Sequence, residues 1–120
     1  MELQPIGGQG LRCSLAWLID DDGRCWGLEF LDSRPREKAK TLTLFLYATD
    51  SGPGTKRFKA LKADMNGFYE LRPTDQITYF CFRDRDTYVI TNGCWKTTDT
   101  VAQIHKTRAQ QLRDRYRRQH

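Results

Sequence analysis

No two cysteines in this chain stand close enough in sequence to form half of a zinc site. Cys13, Cys25, Cys81 and Cys94 make no C-x-x-C pair, each lies in or beside an apolar stretch, and only His105 and His120 remain to complete a ligand set. The thiols therefore read as buried and free, with no metal site and no cofactor expected. Long apolar runs are missing too, and nothing approaches the length of a membrane span. The opening MELQPIGGQG has an acid at position 2 and no apolar core, so no secretory signal is expected and a reduced, cytoplasmic setting follows. Internal repeats and dividing linkers are also absent, which leaves 120 residues to form one compact domain.

What is present is an ordinary globular composition with a high aromatic load: 38% hydrophobic, 12% aromatic and 29% charged residues. These values exclude a disordered or fibrous class. Twenty Lys and Arg face 15 Asp and Glu, a formal net charge of +5. That excess suits a polyanionic partner, or serves solubility alone.

Residues 1–10 hold Pro5 and three glycines and are expected to be loose. From Arg12 to Asp20, Cys13, Leu15, Trp17 and Ile19 alternate with Arg12, Ser14, Ala16 and Leu18, the period of a strand with one large-residue face. Asp20-Asp21-Asp22-Gly23 reads as a turn. The short apolar stretch CWGLEFLDS follows, and Ser33 before Arg34-Pro35 offers a cap for a second helix over about Pro35 to Asp50. Ala39, Leu42, Leu46 and Thr49 fall at helical spacing, and Gly52-Pro53-Gly54 is the stop. TLTLFLY also alternates with period 2, but the run REKAK leading into it favours helix.

KRFKALK, with Lys56, Arg57, Lys59 and Lys62 around Phe58 and Leu61, is the densest basic patch outside the tail. Three strands rich in Tyr, Phe, Ile and Val are expected next, over 68–72, 77–83 and 87–92. The turns between them, Pro73-Thr74-Asp75 and Arg83-Asp84-Arg85-Asp86, are short enough to imply an antiparallel meander. A last helix from about Asp99 carries Val101, Ile104, Leu112 and Tyr116 as its apolar stripe and ends in Arg113, Arg115, Arg117 and Arg118. The expected fold is α+β, in the order β-α-α-β-β-β-α, with the helices packed on one side of a small antiparallel sheet. Tyr69 and Leu71 then face the helices, while Glu70 and Arg72 face the open side.

The segment FKALKADMNGFYELRPTDQITYFCF followed by YVITNGCWKTT, its specific part running from Lys59 to Thr98, resembles the RelE/HigB superfamily of toxins from toxin–antitoxin pairs, in particular its phage-derived HigB-like branch. There a basic K-x-L-K run, a turn, (L/F)-Y-E-L-R, a Tyr/Phe-rich strand, an apolar strand and G-F-x-K-K-T precede a terminal helix. The likeness covers residues 12–112 in element order. It implies a microbial-RNase-like fold, an mRNA endoribonuclease acting on the ribosome, and silencing by a cognate helix-turn-helix antitoxin. By position, Arg72 matches the arginine of E-L-R, which in the family faces the scissile phosphate. Lys96 matches the first lysine of the K-K-T loop, Glu70 the motif's glutamate, and Lys59 and Lys62 the basic run.

Attack by the RNA's 2′-hydroxyl needs that hydroxyl deprotonated, the extra charge of the phosphorane stabilised and the leaving oxygen protonated. Arg72 can hold two phosphate oxygens through its planar fork. Lys96 and the run Lys56, Arg57, Lys59 and Lys62 supply further contacts to the RNA backbone. Glu70 either takes the proton or holds the Arg72 guanidinium; a carboxylate tied to an arginine is the weaker base, which favours holding. Trp95 offers a face on which a base can stack. Three positions depart from the pattern: Gln76 replaces a second arginine, Thr97 a second lysine, and Cys94 the phenylalanine. Two other readings thus stay open, a relative that binds nucleic acid or antitoxin without cutting, and a ParE-like gyrase poison on the same fold.

Overall fold

The computed structural model describes residues 1–96 and 101–120. Six strands form one mixed sheet: β1 (Glu2–Ile6), β2 (Ser14–Ile19), β3 (Phe58–Ala60), β4 (Phe68–Thr74), β5 (Ile77–Asp84) and β6 (Thr87–Trp95), in the spatial order β1-β2-β6-β5-β4-β3. β2 and β6 run parallel and all other neighbours antiparallel. Among the described residues the α-helices are α1 (Trp26–Asp32), α2 (Lys38–Ser51) and α3 (Gln103–Gln119). The α+β class and the meander β4-β5-β6 agree with the sequence reading.

The element order does not, because two strands were missed. Residues 2–6 are not loose: β1 pairs in register with β2 from Glu2↔Ile19 to Ile6↔Leu15. Pro5 is tolerated because β1 lies at the sheet edge, where one row of backbone donors has no partner strand. The basic patch KRFKALK contains β3, whose Lys59 stands opposite Glu70 of β4.

The helices also do not share one side. Leu31 of α1 and Phe45 and Ala48 of α2 pack on Leu15, Trp17, Leu71, Tyr79 and Ile90, while Ala109, Leu112 and Tyr116 of α3 pack on Leu18, Phe68, Phe80, Phe82 and Val89. The sheet is therefore covered on both faces. β5 shows why: all six residues from Ile77 to Phe82 are buried, which a strand with one wet face cannot accommodate.

Phasing within the helices moved too. Phe45, edge-on to Trp17 and Tyr79 at 5.7 and 5.3 Å, sets the inner face of α2 as Thr41, Phe45, Ala48 and Thr49. Leu46 and Ala39 consequently point outward. In α3 Ala109 plays that part, and Ile104, about 140° round the helix from it, is 62% exposed. Ser33 does not cap α2; it closes α1, its amide donating to Glu29 O and its hydroxyl to Phe30 O at 2.6 Å. A turn over 35–37 then ends at Glu37, the residue at the N-cap of α2. The expected stop at Gly52 holds, with φ +69° and its amide on Ala48 O. The last helix starts at Gln103; Asp99, expected to cap it, lies outside the described residues.

Among the described residues no helix is long and apolar enough to cross a membrane. Cys13, Cys81 and Cys94 are buried, Cys25 is half-buried, and all four are free.

Candidate functional site

On the face shared with α3, three strand neighbours and one residue beyond β6 converge. Lys59 of β3 sits opposite Glu70 of β4, Glu70 sits opposite Phe80 of β5, and Lys96 follows the end of β6. Glu70 is the centre of this group. Its side chain is only 6% exposed, Thr78 donates its hydroxyl to Oε2 at 2.9 Å, and two ammonium groups stand just beyond hydrogen-bond length: Lys96 at 3.7 Å and Lys59 at 3.8 Å.

Around that carboxylate opens a cleft of about 550 Å³. Lys59, Lys62 and Lys96 line it together with Lys106 from α3 and Asp64 from a short 3-10 turn, Ala63–Met65, between β3 and β4. Among the described residues four ammonium groups face two carboxylates, so that part of the lining is cationic by two charges. Leu61, Met65, Phe80 and Val101 supply apolar wall. Lys106 reaches Asp64 at 3.7 Å and Gln110 donates to Asp64 O at 2.7 Å, which fixes the 3-10 turn against α3. Long contacts of 3.7–3.8 Å leave ammonium donors free to turn toward a ligand.

Arg72 does not line this cleft. The ladder between β4 and β5 shifts register between Leu71 and Thr74, and the guanidinium turns to the β4-β5 corner. There Nη2 donates to Asp75 O at 3.2 Å and lies 3.8 Å from the Asp75 carboxylate. Asp75 is held more tightly by Arg57, whose Nη1 donates to it at 3.0 Å. Arg57, and after it Lys56, pull the Asp75 carboxyl below its ordinary range. The expected hold of Glu70 on Arg72 is thus replaced by two lysines on Glu70 and an aspartate on Arg72.

Trp95 is on the other face. Successive residues of β6 alternate, so Cys94 and Lys96 turn toward α3 while Gly93 and Trp95 turn toward α1, where a Cβ on Gly93 would meet Phe30 at 2.6 Å. The Trp95 ring is 38% exposed and carries the Arg34 guanidinium 4.5 Å from its centroid. Gln76 is at the β4-β5 turn, its carbonyl accepting from Lys96 N. Thr97 lies outside the described residues.

Neither histidine joins the cleft. His105 is held below its ordinary range by burial and by Arg108, and its carbonyl accepts from Asn92. His120 stacks on Tyr116 with centroids 4.3 Å apart.

Sequence reasoning brought together Lys59, Lys62, Glu70 and Lys96. It missed Lys106, Asp64, Thr78 and Arg34. Lys106 was readable in principle, because it stands three residues before Ala109 on the inward stripe of α3. Among the described residues no group of three His, Cys, Asp or Glu side chains is placed to hold a metal. A scan of the chain against protein-family models finds no match, and a search of the curated proteins finds none either.

Proposed function

We propose that the protein is a RelE/HigB-like toxin of the phage-derived branch, an mRNA endoribonuclease that works in the cytoplasm, on the ribosome, and is silenced by a cognate helix-turn-helix antitoxin. The observation that carries the proposal is the buried Glu70 carboxylate between two ammonium groups in a cationic cleft, at the motif positions where the likeness puts reactive groups. In the reaction, the incoming phosphate draws Lys96 and Lys59 off the carboxylate, which restores its basicity; Glu70 then takes the proton of the 2′-hydroxyl, and the 2′-oxygen forms a bond to phosphorus. Lys96 and Lys59 stabilise the phosphorane, the bond to the 5′-oxygen breaks, and one of the two ammonium groups protonates that oxygen. The products are a 2′,3′-cyclic phosphate and a 5′-hydroxyl. Lys62 and Lys106 contact neighbouring phosphates. Arg72, at the corner beyond the cleft, binds the strand on its way in once Asp75 releases it.

Ribosomes translating a defined message, incubated with the protein, test this. Cleavage is expected, with a loss of about 10²-fold or more for Glu70→Gln and for Lys96→Ala. Intact messages with bound RNA would leave a binding protein that does not cut. DNA breaks without mRNA cleavage would replace the reading with a gyrase poison. A small helix-turn-helix protein encoded beside this one would support the pairing with an antitoxin.

A further inference from the structure

Among its described residues the cleft has lysines for phosphates but nothing flat and exposed for a base, since Phe80 in its wall is buried. The flat surface is on the opposite face, at the end of the same strand. Two tryptophans in this chain carry arginines, and they differ. Trp26 is half-buried, with Arg24 3.3 Å and Arg108 3.7 Å from its ring and its Nε1 donating to Asp20 at 3.1 Å. Two guanidinium groups and a hydrogen bond at its polar tip already occupy it, and Arg108 ties α1 to α3 through it.

Trp95 is different: among the described residues Arg34 is its one cationic partner, its ring stays 38% exposed, and it stands directly before Lys96 in the chain. Arg34 leaves the turn after α1 beside Phe30, at 5.6 Å, and forms no ion pair with a described residue. An exposed indole with a guanidinium over its ring is an arrangement that can stack a nucleobase, either on the ring surface left exposed or in place of the guanidinium, because every base has a π-face and the cation adds to it.

Resting on the ribonuclease reading of the cleft, we infer that Trp95 and Arg34 form a base-stacking platform for single-stranded RNA. The strand crosses the sheet end made by Gln76 and Lys96, whose backbones are hydrogen-bonded there. A phosphate lies in the cleft at Lys96, and the base of a nearby nucleotide lies on Trp95 on the far side. This placement makes the residue pair Trp95-Lys96 a hinge for the strand: one reads π-surface, the next reads charge.

The test compares two short, non-cleavable single-stranded oligonucleotides of equal length, one with bases and one abasic. Their affinities are measured for the full-length protein and for Trp95→Ala, Trp95→Phe, Arg34→Ala and Lys96→Ala. The expected result is that wild type prefers the base-bearing strand by about 5- to 150-fold. Trp95→Ala removes that preference and leaves abasic binding unchanged, Trp95→Phe restores most of it, Arg34→Ala reduces it, and Lys96→Ala weakens both strands alike. Trp95→Ala binding both strands as wild type does, while Lys96→Ala weakens both, overturns the platform and leaves the cleft standing. If Lys96→Ala changes neither strand but Trp95→Ala still removes the preference, the cleft reading falls and the platform stands. A loss on Trp95→Ala confined to a protein partner, with RNA binding intact, makes the surface a protein contact and overturns the inference. Absence of binding to either strand overturns both.

Discussion

Glu70 offers a test in which distance is held nearly constant and only exposure varies. Lys96 lies 3.7 Å from Oε2 and Lys59 3.8 Å from Oε1, but the Lys96 side chain is 12% exposed and that of Lys59 48%. With an effective dielectric of about 20 the inner pair has a gross attraction of about 4 kcal/mol, whereas water-like screening lowers the outer one to about 1 kcal/mol. Desolvation opposes the first and side-chain ordering the second. The net coupling expected is about 1–3 kcal/mol for Glu70 with Lys96, and below about 0.5 kcal/mol for Glu70 with Lys59.

Two double-mutant cycles measure it, Glu70→Gln with Lys96→Met and Glu70→Gln with Lys59→Met, each by urea unfolding. Glutamine keeps an oxygen for the Thr78 hydroxyl to donate to, so the fold should survive the change. Near 1 M salt, where the screening length falls to about 3 Å, the outer coupling should vanish and most of the inner one remain. Equal couplings, or a larger one for Lys59, would refute the claim that burial of the Lys96 side decides the electrostatics of the cleft.

Other outcomes follow from the same structure. Gly93→Ala puts a Cβ 2.6 Å from Phe30 and 2.8 Å from Tyr79, both in packed aromatic contact, and should cost about 2 kcal/mol in urea unfolding; a neutral result would show that α1 yields. The Asp75 carboxyl should titrate by NMR below about 3.9, and Arg57→Ala should raise it more than Arg72→Ala does. Because the folded value is the lower one, its contribution to stability is present above about pH 4 and disappears as pH falls through the folded value. Burial pushes the thiols upward, Cys94 to about 12, so in the native protein at pH 7 a maleimide should label half-buried Cys25 first and reach Cys81 and Cys94 only on unfolding. Rapid labelling of Cys81 would contradict that core.

How much of this was legible can be traced residue by residue. The β4-β5-β6 meander was, because aromatic and β-branched runs are broken by short polar turns, one of them with Arg85 at φ +59°. β1 was not, since Pro5 and the glycines around it speak against a strand locally, and only pairing with β2 outweighs them. The second covered face was visible in ITYFCF, a run with no polar alternation, but the sparse stripe of α3 disguised its partner: Ala109 buries little surface and fixes the helix phase nonetheless. Within the site, alternation placed Glu70 and Arg72 on one side correctly as far as Leu71. Beyond it the register shift redirects Arg72, and no periodicity anticipates a bulge.

A sheet covered on both faces leaves few places where side chains from several strands can meet a ligand. Two such places, the Glu70 cleft and the sheet end at Trp95, depend on strands of unequal length. β3 has three residues, so the edge beyond Ala60 stays open between the sheet and α3, and the cleft occupies that gap. β6 has nine and reaches the start of β5, where Ile77 stands opposite Trp95, so consecutive residues emerge on opposite faces at the sheet end. The lysines could shift by a turn of helix or one strand register and still solvate a surface. Glu70 could not, because a carboxylate 6% exposed must have its partners built around it. The cost of burying it is met by Thr78, Lys59 and Lys96 together, three residues from three different parts of the sheet. For that reason the carboxylate, more than Arg72 held at its corner by Asp75, is the group on which the proposed chemistry turns.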